Sequence, residues 1–89
     1  MNQQEAMRIC QRETQRILQN TGISPSVLVN YGVMAQQAVN NPSIKQQLYQ
    51  DAVNKNIISQ AEYPNGLKTD DLAMFIVMGK IASKMIGGK

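Results

Sequence analysis

The sequence predicts an all-α fold, a compact bundle of four helices in a single domain over residues 1–89, with short connections and the longest loop before the last helix. Three observations carry the prediction. Apolar residues recur at helical spacing through most of the chain. A cap residue followed by proline occurs twice, as Ser24-Pro25 and Asn41-Pro42, and this pair marks a helix start. Leu72-Ala73-Met74-Phe75-Ile76-Val77-Met78-Gly79 is apolar without a break. So apolar a helix needs other helices, or a partner, to cover it.

The first helix is expected from about Gln3 to Gln19. Ala6, Cys10, Ile17 and Leu18 fall near one face, with Met7 and Thr14 beside them. Thr21-Gly22 ends it, glycine being suited to a left-handed cap. The second helix starts at Ser24-Pro25 and runs to about Val39. Leu28, Tyr31, Ala35 and Ala38 line its stripe, flanked by Val27, Met34 and Val39. Gly32 inside it costs roughly 1 kcal/mol of helix propensity, and the expected compensation is close approach by a neighbouring helix. The third helix starts at Asn41-Pro42 and extends to about Gln60, with Ile44, Leu48, Ala52, Val53 and Ile57 or Ile58 inward. Residues 61–68 contain Pro64-Asn65-Gly66, which is turn chemistry, and form the connection expected to be mobile. Thr69 is the expected cap of the fourth helix. Asp70 and Asp71 then occupy its first turn, where the helix field favours acids. Gly87-Gly88 ends it.

Composition excludes several functions. Gln and Asn make up 19 of the 89 residues, against 17% charged residues, so the surface is polar but weakly charged. The net charge of +3 is spread evenly along the chain. No Lys/Arg block supplies the phosphate neutralisation on which nucleic-acid affinity draws. There is no histidine, which argues against the usual zinc and haem sites. One cysteine, Cys10, permits no intrachain disulfide and leans toward a reducing, cytoplasmic setting. The first residues lack the basic and apolar regions of a signal peptide. Residues 72–79 are too short to span a bilayer, and extension to Ile86 takes in Lys80 and Lys84.

No enzyme constellation emerges. Asp70 and Asp71 are adjacent and do not share a helix face. Cys10 has no histidine base and lies on the apolar side of its helix, as a buried inert thiol would. Pro64–Lys68 lacks the glycine spacing of a phosphate loop. No catalytic residue, cofactor or metal is assigned.

Contact surfaces remain. Arg8, Arg12 and Arg16 form an i,i+4 ladder able to grip phosphates or carboxylates, partly neutralised by Glu5 and Glu13 through i,i+3 pairs. Met74, Met78 and Met85 give the last helix a deformable apolar surface wherever they are not in the core. These six residues are the expected partner-binding set. The function expected is a non-enzymatic protein–protein interaction module, such as a small regulator, adaptor or assembly component. Surplus apolar surface on a short chain further suggests a homodimer or other homo-oligomer.

The alternative is a DNA-binding regulator. Residues 17–31, Ile-Leu-Gln-Asn-Thr-Gly-Ile-Ser-Pro-Ser-Val-Leu-Val-Asn-Tyr, resemble a helix-turn-helix reader, with Leu18, Ile23, Leu28 and Tyr31 inward. The resemblance implies that Ser24, Ser26 and Asn30 face DNA. The reading helix has no Arg, Lys or Gln in its first two turns, although such residues commonly read base edges. Nucleic acid is therefore a secondary partner, and a membrane an improbable one.

Overall fold

A computed structural model describes residues 2–87 as four helices joined by turns: α1 (Gln3–Thr21), α2 (Pro25–Ala38), α3 (Pro42–Asn54) and α4 (Thr69–Gly87). The all-α class and the order of elements follow the sequence expectation. Gly88 of the expected terminator lies outside the described residues.

Local chemistry explains the boundaries. The Asn2 side chain accepts a hydrogen bond from the Glu5 N–H at 2.8 Å and so caps α1. At the other end Gly22 takes φ 69° and donates its N–H to the Leu18 carbonyl at 3.2 Å, the left-handed stop anticipated for it. Asn41 caps α3 by accepting from the Ser43 and Ile44 N–H groups.

Three boundaries differ from expectation. The Ser24 hydroxyl does not cap α2; it pairs with the Ser26 hydroxyl at 2.7 Å, and the proline and fixed backbone alone start the helix. Helix α3 stops at Asn54, six residues before Gln60. Asn56 adopts φ 61°, the Ile57 N–H reaches back to the Ala52 carbonyl at 2.9 Å, and the Asn56 N–H reaches Val53 at 3.0 Å. These two bonds form a Schellman stop with asparagine in the glycine position, sealed by buried Ile57 against buried Ala52. Thr69 is the first residue of α4 and not its cap. The Lys68 carbonyl accepts from Leu72, and Asp71 reaches back to accept from the Lys68 N–H at 2.7 Å.

The connection from residue 55 to 68 is longer than expected and tied down. Ile57 and Leu67 enter the core, and the Tyr49 hydroxyl donates to the Tyr63 carbonyl.

Helices α2 and α4 together form the centre of the packing. Helix α4 lies chiefly against α2 and also receives α1, while α3 packs on α2. The α2–α4 seam is backbone against backbone: a Cβ placed on Gly79 would stand 2.9 Å from Gly32 Cα and 3.1 Å from the Leu28 carbonyl oxygen. This is the close approach that accounts for Gly32. Around the crossing, Phe75, Leu28, Leu48 and Met78 are fully enclosed, and the Tyr31 and Phe75 rings meet edge to face at 6.1 Å. The Tyr31 hydroxyl reaches the rim and donates to Asp51 Oδ2 on α3. Lys55 completes this tie at 2.7 Å from the same carboxylate oxygen. Thr14 is fully buried, yet its hydroxyl donates to the Cys10 carbonyl at 2.7 Å, so α1 satisfies it internally.

The apolar face of α1 is only partly used. Cys10, Thr14 and Ile17 are buried, whereas Ala6, expected on the inner face, is exposed together with Met7 and Ile9. The first turns of α1 run past the part of the bundle that could cover them.

Candidate functional site

Two concavities flank α1 where it rests on α4. The larger, about 620 Å³, lies between the α1 row Met7, Gln11 and Gln15 and the α4 residues Val77, Lys80, Ile81, Lys84 and Met85. Both walls are helix, so the geometry is set by i,i+4 spacing. The residues 7, 11 and 15 recur at one face of α1, and 77, 81 and 85 do the same on α4. Each row of eight residue steps spans about 12 Å. Val77 and Ile81 are half-buried in the floor, while Met7 and Met85 stand 43% and 44% exposed at the open end. Ile86, just beyond, is 54% exposed. Lys80 and Lys84 stand exposed one turn apart on the α4 wall, and no carboxylate lines the groove among the described residues.

The smaller concavity, about 400 Å³, opens on the other flank of α1. It is bounded by Ile9, Glu13 and Arg16 of α1, by Ile58, Glu62 and Tyr63 of the connection, and by Met74 of α4. Arg16 is committed here: its Nη2 and Nε both donate to Glu13 Oε2, at 2.6 and 3.0 Å. This bond holds the guanidinium pKa above its ordinary value. Burial is the main cause that pushes the Tyr63 hydroxyl up, with the nearby Asp71 and Glu62 carboxylates adding to it. The Arg16–Glu13 pair cancels internally, and Glu62 leaves this concavity weakly acidic.

The six expected contact residues divide among four places. Arg8, Arg12 and Arg16 are all exposed on α1, and Arg16 also borders the smaller concavity. Glu13 pairs with Arg16 as expected. The expected Glu5–Arg8 pair is absent, since the two ion pairs among the described residues are Arg16–Glu13 and Lys55–Asp51. Met78 is 1% exposed and belongs to the core, so it offers no surface for a partner. Met74 is half-buried beside Arg16 in the smaller concavity, and Met85 stands at the mouth of the larger one. The arginine ladder and the methionines therefore do not form one continuous patch. The groove adds Met7, Gln11, Gln15, Lys80 and Lys84, which sequence reasoning did not assign to a contact surface. The signal for them was the row 7, 11, 15, set one helical position beyond the buried row 10, 14, 17.

Within residues 17–31, Ser24, Ser26 and Asn30 are exposed and Leu28 and Tyr31 are buried, as the helix-turn-helix resemblance implies. Helix α1, however, finds its packing partner in α4. Among the described residues no three Cys, Asp or Glu side chains converge as a metal site, and no helix is long and apolar enough to cross a membrane. Compared with protein-family models, with curated proteins and with solved structures, the chain matches none.

Proposed function

We propose that this chain is a non-enzymatic protein–protein interaction module, a small regulator, adaptor or assembly component acting in the cytoplasm, and that the α1–α4 groove is its docking face. The observation that carries the reading is the groove itself. Two helices hold Val77 and Ile81 in a concave apolar floor and leave Met7 and Met85 about half in solvent. Concave apolar floors with a few polar groups on the rim suit a partner better than they suit water. Methionine at both ends lets the surface adapt to what it meets. Arg8 and Arg12, one helical position beyond the Met7 row and outside any ion pair among the described residues, extend a basic margin along α1.

A photo-reactive side chain at position 81 tests the reading. Irradiation in cells of the native source is expected to join the chain to a defined protein. A matched probe at position 33, exposed on the outer side of α2, is expected not to do so. Identical capture from both positions, or none from position 81, would remove the groove as the docking face. Capture of a second copy would assign it to the homo-oligomer.

The DNA-binding alternative is supported by exposed Ser24, Ser26 and Asn30. Retention on duplex DNA that falls steeply with salt, and is lost when Arg8, Arg12 and Arg16 become Glu, would favour it.

A further inference from the structure

We propose that the α1–α4 groove receives an acidic amphipathic helix from a partner protein. The inference rests on the reading of the chain as an interaction module and names the kind of partner that fits.

The shape argues for a helix. Each wall offers two turns of rigid α-helix, about 12 Å, and the floor is apolar along that length. A helix laid between them would place side chains at i, i+3 or i+4, and i+7 onto Val77, Ile81 and Met85, the helix-in-groove mode of recognition. An extended strand would find no unpaired backbone edge here, since both walls have their backbone groups bonded within helices.

The charge argues for acid. Lys80 and Lys84 project one turn apart on the α4 wall, and the facing wall presents Met7 and the uncharged amides of Gln11 and Gln15. Among the described residues no carboxylate lines the groove, and neither lysine forms an ion pair there. Carboxylates one turn apart on the flank of the incoming helix match their spacing, because the same i,i+4 period sets both. A second copy of this chain fits less well. Symmetric pairing across the groove would set Lys80 and Lys84 against their own counterparts. An anionic bilayer supplies the charge, but a flat surface does not reach Val77 and Ile81, which are half-buried between the walls.

The test uses the full chain, isotope-labelled for amide NMR, and two synthetic helical peptides that share one leucine stripe. One carries Glu on both flanks of the stripe, the other Lys. The Glu peptide is expected to shift the amides of residues 7–15 and 77–85 and to bind about tenfold more tightly than the Lys peptide at low salt, a gap that closes as salt screens the lysines. The double variant Lys80→Glu, Lys84→Glu is expected to reverse the preference, and Lys80→Gln, Lys84→Gln to erase it. Both lysines are exposed, so helicity by circular dichroism is expected to stay at the parent level. Equal binding of the two peptides, or shifts centred elsewhere, would overturn the proposal. If position 81 still captured a partner in cells, the module reading would stand without the acidic helix. Failure of both would remove both. Groove amides perturbed by phosphatidylserine vesicles and by neither peptide would assign the groove to lipid. Concentration-dependent shifts without peptide would assign it to a second copy. Either result overturns the acidic-helix proposal.

Discussion

Helix α4 meets two neighbours in opposite ways. Against α2 its backbone touches backbone at Gly79 and Gly32, with Phe75 and Tyr31 interlocked alongside. Against α1 it is separated by side chains, and the seam opens toward the start of α1 into a groove edged by Met7 and Met85. The same helix thus has one face whose shape is fully specified and one left unfinished. Small residues make the difference. Gly79 lets α2 come to backbone contact, whereas larger side chains, Val77, Ile81 and Met85, line the groove beside α1. Fold specificity resides in the first seam, and the proposed docking face in the second.

Substitutions sharpen that contrast, from the largest effect down. Phe75→Asp buries a carboxylate at a position only 1% exposed, and is expected to abolish cooperative thermal unfolding monitored by circular dichroism. A wild-type melt would show that the α2–α4 seam is not the core. Gly79→Ala gains roughly 1 kcal/mol of helix propensity, but its methyl would lie 2.9 Å from Gly32 Cα. Overpacking against backbone is expected to win, with a net loss of about 1–2 kcal/mol in urea denaturation. A stabilised variant would mean that the helices can move apart freely.

Tyr31→Phe removes the hydroxyl that bridges to Asp51, and is expected to cost about 1 kcal/mol by the same assay. The Tyr31 hydroxyl is pushed up to about 12, mainly by burial and then by its bond to Asp51. A raised pKa means that its share of stability is complete below the ordinary tyrosine value near 10 and is lost as pH rises through about 12. Wild type should therefore lose stability in this alkaline window, and Tyr31→Phe should lose less. At the acid end the sign reverses. Lys55 first, and Tyr31 second, hold the Asp51 carboxyl below its usual range. Its stabilising share is present above that range and disappears as pH falls through the depressed value. Lys55→Ala is expected to move that part of the acid loss to higher pH, read from the pH dependence of the urea midpoint.

The smallest effect belongs to the open seam. Met85→Ser, at a position 44% exposed, is expected to change stability by less than about 0.5 kcal/mol while weakening capture at the groove. A loss comparable to that of Gly79→Ala would mean that the groove is structural.

Three helices were legible from local signals, with Gly22 stopping α1 and the Ser24-Pro25 and Asn41-Pro42 pairs starting α2 and α3, while α4 was legible from its unbroken apolar run. The early end of α3 was missed because asparagine at residue 56 does the work usually given to glycine, and the apolar pair Ile57-Ile58 prolongs the helical pattern past the stop. The groove was not legible. Periodicity places Met7 beside the core face, and only the spatial order of helices shows that nothing covers it. The same limit assigned Met78 and Met85 to one stripe, although one is enclosed in the core and the other stands exposed at the end of α4. Seven residues apart, they differ in which neighbour is present, which no local pattern records.

Cys10 gives the α1–α4 seam an intrinsic probe of its own opening. It is the chain's single thiol, buried on the inner face of α1, and burial first and Glu13 second raise its pKa. While α1 is docked, the sulfur is both shielded and protonated, so an added disulfide reagent or alkylating agent finds little to attack. Each excursion of α1 away from α4 uncovers it. When reclosing outpaces the chemistry, the labelling rate reads the free energy of that local excursion, separately from global unfolding. An occupant that clamps both walls of the groove would slow that rate, so binding can be followed by the clock of one sulfur atom.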